Sequence, residues 1–196
     1  MIELYFLRHA ETEYNAHNQF VGGRSNRLPL SENGRRQALS AGMFFKDNHV
    51  AFDRVFCSTA VRAQSTLELI TDRAHITDNV VAYSDELQEL SQGEWEGRPR
   101  NEIYTPKRLA EIKANPWHFK APGGESQKET EERMLIFIER NIIRPYVDGC
   151  FLLIGHGVAF RCLLRGILGI KPEMVYRILI DNVSLSKLRY DRSDGW

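Results

Sequence analysis

Short apolar runs along this chain alternate with longer stretches in which apolar residues recur at every third or fourth position. The short runs have the length of buried strands, and they lie at residues 2–7, 54–57, 80–83 and 151–154. The longer stretches have the period of amphipathic helices and lie at 31–45, 60–74, 101–114, 126–144 and 158–168. Two further segments, 176–180 and 184–190, predict closing strands.

Strands that alternate with helices predict an α/β fold, here a three-layer sandwich whose mainly parallel central sheet is flanked by helices. Ligands of such sheets bind beyond the carboxyl ends of the strands. Arg8-His9 follows the first run, the segment 58–62 follows the second, and Gly155-His156-Gly157 follows the run at 151–154. We therefore expect these polar segments to meet at one edge of the sheet.

The chain has the length of one ordinary domain, so we predict a single domain over 1–196. Residues 93–125 are richer in glycine, proline, tryptophan and charge than the rest. We expect this segment to leave the core and to form a lid that governs specificity.

Charge and composition argue against several functions. The chain has 26 basic and 26 acidic side chains, whereas binding to nucleic acid or to an anionic membrane surface favours a basic excess, so we expect neither partner. Neither a signal peptide nor a run of transmembrane length is found, and three cysteines do not make a secreted disulfide framework. These features predict a cytoplasmic protein.

Two histidines, two arginines and a carboxylate at one sheet edge suit phosphoryl transfer. Arginine offers forked donors that match phosphate oxygens, and an imidazole can attack phosphorus as a neutral nucleophile. A second imidazole, if protonated, would stabilise charge in the transition state, and a carboxylic acid can protonate the leaving oxygen. A small phosphorylated metabolite is therefore the expected ligand.

The residues that carry this chemistry resemble the histidine phosphatase superfamily, also called the phosphoglycerate mutase-like family. The resemblance covers nearly the whole chain and rests on six segments in the family's order. They are Leu7 to Asn15 (LRHAETEYN), Leu30 to Gly34 with Gln37-Ala38, Cys57 to Thr66 (CSTAVRAQST), Glu86 to Leu90 with Gly93 to Gly97, Pro122 to Ser126 (PGGES), and Gly155 to Gly157 (GHG).

The resemblance implies a role for each matching position. His9 is then the phosphorylated nucleophile, and Glu89 is the general acid and later the base that activates water, with Glu86 as the main alternative. No metal and no cofactor is implied, and a homodimer is compatible with the family. The positions implied to line the phosphate pocket are Arg8, Asn15, Arg62, His156 and the backbone N–H of Gly157.

The sequence departs from the family's pattern at Ala10, where relatives usually have glycine. If the backbone there needed a positive φ, alanine would cost roughly 1 kcal/mol or more. Since every neighbouring signature residue is in place, we expect no such strain and only a narrower pocket.

Other chemistries fit the sequence less well. A zinc site lacks any His-Glu-x-x-His or paired-cysteine spacing. A cysteine-dependent phosphatase is disfavoured, because Cys57 and Arg62 bracket four residues, one fewer than that family's signature loop. A non-catalytic module that only binds phospho-ligands is disfavoured by the presence of both His9 and a candidate acid.

Hydrolysis is favoured over mutase activity. Mutases of this family that use a bisphosphate cofactor are longer after the acid, whereas the connection here is short. The sequence leaves the substrate open. Arg24 and Arg27 near the signature, or basic residues of the lid, are candidates to contact a second anionic group.

Overall fold

A five-stranded sheet forms the centre of the computed structural model, which describes residues 1–74, 76–77 and 80–196. Its strands hydrogen-bond in the order β3-β2-β4-β1-β5, with only the β1–β5 pair antiparallel among them. The strands are β1 Ile2–Arg8, β2 Arg54–Ser58, β3 Val81–Ser84, β4 Gly149–Gly155 and β5 Leu185–Tyr190.

Helices pack on both faces of this sheet, as the sequence predicts. α2 Glu32–Asp47 and α3 Val61–Ala74 cover one face, and α6 Gln127–Ile138 and α7 Gly157–Leu168 cover the other. The remaining helices are α1 Glu13–His17, α4 Arg100–Ile103 and α5 Pro106–Ala114. Shorter 3₁₀ turns lie at Asp85–Leu87, Gly93–Trp95 and Pro172–Arg177.

The burial of the central strand β4 explains why its sequence is a continuous apolar run. Phe151 and Leu153 point into one core, which α6 and α7 complete, and Leu152 and Ile154 point into the other, with α2 and α3. All four side chains are fully buried. A strand covered on both faces has no polar side, and this is the pattern of a buried parallel strand.

Local signals fix the helix ends. The Ser31 hydroxyl accepts a hydrogen bond from the Gly34 N–H at 3.0 Å, and Ser126 and Glu129 form a reciprocal capping box. Gly169 ends α7 in the left-handed region with φ 63°. The expected boundaries at these positions are confirmed.

Three predicted elements differ from the structure. Residues 176–180 do not form a strand, because the chain enters a 3₁₀ helix at Pro172, whose fixed φ suits a helix start, and then continues irregularly. The helix expected at 101–114 is two helices, since Thr105 precedes Pro106 and is held out of the helical region. The helix expected at 126–144 is regular only to Ile138 and widens to a π-helical turn at Glu139–Ile143.

The segment 93–125 packs around a small apolar cluster, distinct from the two cores on the sheet. It contains Val21, Trp95, Ile103 and Ala121. The guanidinium of Arg108 lies over the Trp95 ring, and that of Arg100 lies over the Tyr104 ring. The contacts give the segment an interior without adding to the sheet's cores.

The two ends of this segment lie against each other. The N–H of Glu94 donates to the Pro122 carbonyl at 3.0 Å, and the N–H of Glu125 donates to the Ser91 carbonyl at 2.9 Å. Gly93 has φ 50°, and a Cβ there would lie 2.1 Å from the Pro122 oxygen. Glycine is therefore required where the segment begins.

Candidate active site

The carboxyl ends of β1, β2 and β4 bring the predicted residues together. β4 lies between the other two strands, Arg8 is in register with Gly155, and the His9 N–H donates to the Gly155 carbonyl at 2.9 Å. The imidazole rings of His9 and His156 are 5.1 Å apart between centroids. The convergence expected from the strand ends is what the structure contains.

His9 is held as a neutral ring whose lone pair, on Nε2, faces the Arg62 guanidinium. Its Nδ1 lies 2.7 Å from the Ala10 carbonyl, which can only accept, so Nδ1 carries the proton and Nε2 does not. Burial, followed by the charges of Arg62 and Arg8, holds the pKa of this imidazole well below 6.5. Nε2 is therefore available as a nucleophile at neutral pH.

Arg62 lies at the start of α3 and joins the two histidines. Its Nε is 3.3 Å from the His9 Nε2, and its Nη2 is 3.1 Å from the His156 Nδ1. The carbonyls of Gly23 and Ser25 anchor the same guanidinium at 3.0 and 2.9 Å. Burial lowers its pKa to about 10, so it remains charged at neutral pH.

His156 is also neutral in this arrangement. Because Arg62 can only donate, the His156 Nδ1 accepts, and its Nε2 therefore donates to the Ser58 hydroxyl at 2.8 Å. Burial and then Arg62 hold the pKa of this ring well below 6.5. Any protonated form of His156 must therefore arise when a ligand anion enters.

The Nε–H of Arg8 is a buried donor that no described residue accepts. The Nη1 of the same side chain donates to the Ile180 carbonyl at 2.8 Å. A Cβ at Gly157 would lie 3.2 Å from this Nε. Glycine at 157 thus lets Arg8 lie close to the start of α7. An anion there can accept hydrogen bonds from the Arg8 Nε–H and from the backbone N–H groups of the helix start.

Glu89 lies at the N-terminus of α7. Its carboxylate accepts from the N–H groups of Val158 at 3.1 Å, Ala159 at 2.8 Å and Leu90 at 2.9 Å. The alternative acid, Glu86, points away and pairs with Arg140. Of the two carboxylates, Glu89 is the one that borders the same cavity as Arg8.

A cavity of about 710 Å³ extends from Arg8, Asn15 and Glu89 to the segment 93–125. His9, Arg62 and His156 are buried and are not among its lining residues. Arg24 is a candidate from the sequence for binding a second anionic group of the substrate. In the structure its guanidinium donates to the Glu125 carboxylate at 2.7 Å and to the Glu89 carbonyl at 3.1 Å. The lining residues are Arg8, Asn15, Asn18, Val21, Gly22, Gly23, Glu89, Leu90, Gln92, Arg100, Tyr104, Leu109, Ile112, Val158, Arg161 and Tyr176.

Comparison with known proteins identifies the family. The model of the histidine phosphatase superfamily (branch 1) matches residues 4–196. The chain belongs to this superfamily. A relative named 2,3-bisphosphoglycerate-dependent phosphoglycerate mutase, from Nitrobacter winogradskyi, is 30% identical over 202 residues, covering 94% of this chain and 96% of the relative.

Two solved structures share the fold. Bacillus stearothermophilus YhfR has a TM-score of 0.84 at 24% identity, covering all of this chain and 95% of its own. A mycobacterial glucosyl-3-phosphoglycerate phosphatase has a TM-score of 0.81 at 22% identity, covering 96% of this chain and 93% of its own.

The mutase relative aligns over 96% of its own length. The match runs over 202 residues, more than the 196 of this chain, so the relative carries additional residues within it. The expectation that such mutases are longer after the acid stays a prediction.

The superfamily's usual glycine after the nucleophile is not required here. Ala10 is absent from the described non-glycine residues with positive φ, which are Asn18, His49 and Val183. Its N–H donates to the Thr66 hydroxyl at 3.0 Å, and its carbonyl orients His9. Alanine therefore carries no backbone strain at this position, as expected.

The sequence did not indicate Asn182, which the fold places beneath the signature segment. Its Nδ2 donates to the His9 carbonyl at 2.9 Å and to the Asn15 Oδ1 at 3.3 Å. The Asn15 Oδ1 also accepts from the Thr12 N–H and hydroxyl. These donors leave the Asn15 NH₂ free to donate into the cavity.

The described residues contain neither a metal cluster nor a membrane span. No group of three or more histidine, cysteine or acidic side chains is placed to hold an ion among them. Within the same ranges, no helix has the length and apolarity needed to cross a bilayer.

Proposed function

We propose that this protein is a metal-independent phosphomonoesterase that hydrolyses small phosphorylated metabolites through a phosphohistidine on His9. The observation that carries the proposal is the neutral His9 ring, whose Nε2 lone pair faces the Arg62 guanidinium. A neutral nucleophile beside fixed cations suits attack on a phosphate dianion, because the cations attract the substrate without protonating the nucleophile.

In the first step, the His9 Nε2 forms a bond to phosphorus while the ester P–O bond breaks in line with it. Arg8 and Arg62 hold the phosphate oxygens, as do the Asn15 amide and the Gly157 N–H. The leaving oxygen takes a proton from Glu89, which acts as the general acid.

In the second step, water attacks the phosphorus and the P–N bond breaks. The proton of the water passes to the Glu89 carboxylate, and inorganic phosphate leaves. His9 returns to its neutral form, with its Nδ1 proton still directed at the Ala10 carbonyl. The cycle needs no metal, because two guanidinium groups supply the positive charge.

Water as the acceptor is supported by the size of the cavity. A mutase must keep water from the phosphoenzyme, whereas a cavity of about 710 Å³ leaves room for water once the leaving group departs.

Phosphoglycerate mutase activity is the second candidate. It is favoured by the 30% identity to the Nitrobacter winogradskyi protein of that name. In that reaction the phosphohistidine would return its phosphoryl group to a bound product.

The test is hydrolysis of p-nitrophenyl phosphate by the whole protein, with and without EDTA, together with His9→Ala. We expect EDTA to have no effect and His9→Ala to abolish turnover. His17→Ala is the matched control, because His17 is an exposed histidine outside the phosphate pocket. Full activity in His9→Ala would refute the nucleophile. Conversion of 3-phosphoglycerate to its isomer faster than phosphate release would favour the mutase.

A further inference from the structure

Arg161, on α7, has no partner among the residues that the structure describes. It is partly buried, and neither a hydrogen bond nor an ion pair joins its guanidinium to any residue in the described ranges. Its Nε is buried and unsatisfied. Buried donors nearly always have an acceptor, and an unsatisfied one is costly, so this group calls for an explanation.

The unsatisfied guanidinium nitrogens occur together. Across the described part of the chain, the only two buried ones without a partner belong to Arg8 and Arg161. Both residues line the cavity of the active site. Partly buried arginines elsewhere are paired, as Arg133 is with Glu125 and Arg165 is with Glu131. The missing acceptors therefore belong to whatever fills this cavity.

Arg161 lies further along the cavity than the residues of the phosphate pocket. It is the fifth residue of α7, four residues after Gly157, which places its backbone about 6 Å further along the helix axis. Burial lowers the pKa of Arg8, and the charge of Arg161 adds to this effect, so the two cations are neighbours. The charge of Glu89 acts on Arg8 in the opposite direction, but its oxygens accept from the α7 amides and not from either guanidinium.

We propose that Arg161 binds a second anionic group of the substrate, a carboxylate or a second phosphate, a few atoms from the scissile phosphate. The proposal rests on the phosphomonoesterase function proposed above and narrows it to phosphomonoesters that carry a second anion. Arg161 is then a specificity residue, while Arg8 and Arg62 hold the phosphate that is transferred.

The experiment compares substrates that differ only in the second anion. O-phosphoserine is paired with O-phosphoethanolamine, which lacks its carboxylate, and glucose 1,6-bisphosphate is paired with glucose 6-phosphate. Phosphate release gives kcat and KM for the wild-type protein, Arg161→Gln and Arg161→Lys. Arg35→Gln is the control, because it removes the same charge from an exposed position on α2.

For at least one pair, we expect the wild-type protein to favour the member with the extra anion by tenfold or more in kcat/KM. The preferred pair identifies the anion as carboxylate or phosphate. Arg161→Gln should reduce that preference at least tenfold, mainly through KM. Arg161→Lys should keep part of it, and Arg35→Gln all of it. An equal preference in the wild type and Arg161→Gln would overturn the proposal, as would a wild type with no preference.

Binding without turnover separates this proposal from the proposed function. Thermal unfolding is measured with each compound, since a ligand that binds the folded state raises Tm. If the wild-type protein hydrolyses nothing, the phosphomonoesterase function fails. The Arg161 proposal would still be supported by a larger Tm increase with the extra anion that Arg161→Gln loses, and refuted by equal increases.

Discussion

Asn182→Ala tests whether a residue outside every signature segment positions the nucleophile. The Asn182 Nδ2 donates to the His9 carbonyl at 2.9 Å and to the Asn15 Oδ1 at 3.3 Å. The next residue, Val183, has a φ of 52°, which is unusual for a β-branched side chain, and its N–H donates to the Arg8 carbonyl at 3.1 Å. This turn therefore holds the backbone of both signature residues.

The expected cost follows from these two contacts. A hydrogen bond contributes about 1 kcal/mol to stability, and the 3.3 Å contact contributes less. Asn182→Ala should thus lower the free energy of unfolding by roughly 1–2 kcal/mol. If half of this loss, about 0.5–1 kcal/mol, also raises the reaction barrier by misplacing the His9 ring and the Asn15 amide, kcat should fall about two- to fivefold, since about 1.4 kcal/mol is a factor of ten.

The assay pairs urea unfolding with p-nitrophenyl phosphate kinetics. Asn141→Ala is the matched control, because the Asn141 Nδ2 donates to the Phe137 carbonyl at 2.9 Å, outside the phosphate pocket. Both variants should lose stability, but only Asn182→Ala should lose kcat. If both lose stability and keep the wild-type kcat, Asn182 supports the fold alone and the positioning argument is wrong.

Three further predictions concern backbone space, thiols and protons. Gly34→Ala should lower the free energy of unfolding by about 1–3 kcal/mol, because its Cβ would lie 2.1 Å from the Glu11 carbonyl oxygen. Gly22→Ala is the control, since its Cβ would meet nothing within 4 Å, and its stability should be nearly unchanged. Equal urea midpoints for the two variants would contradict this prediction. Burial raises the pKa of the Cys57 and Cys162 thiols, so a thiol reagent should leave the native protein active; inactivation that tracks labelling of Cys57 would count against a histidine nucleophile. The pKa values of His9 and His156 lie below 6.5 in the folded protein, so below that pH the unfolded chain binds protons that the folded protein excludes. Stability measured in urea should therefore fall as the pH drops below 6.5, by up to about 1.4 kcal/mol per histidine per pH unit, and less steeply in His9→Asn; identical slopes would refute the assignment.

Much of the site could be predicted because its residues directly follow strands. Arg8, His9 and His156 stand at the ends of apolar runs, and parallel strands bring such ends to one edge whatever lies between them. Arg62 follows by the same rule, as the second residue of the helix that comes after β2.

The remaining contacts depend on residues that no local pattern selects. Asn182 lies in an irregular turn. Of the site residues that it contacts, the nearest in sequence is Asn15, which is 167 positions away. Arg161 has the spacing of an ordinary helix residue, and its lack of a partner is visible only once α7 is placed beside the cavity. The misread strand at 176–180 has the same origin, since Ile180 is buried by tertiary packing rather than by sheet pairing.

The joined ends of the segment 93–125 have an evolutionary consequence. Because Glu94 bonds Pro122 and Glu125 bonds Ser91, the segment enters and leaves the fold at one point. Insertions, deletions or wholesale exchange within it can therefore alter the far wall of the cavity while the chemistry at the strand ends stays intact. Exchange of this segment between relatives is thus a direct route to new substrates on an unchanged catalytic core.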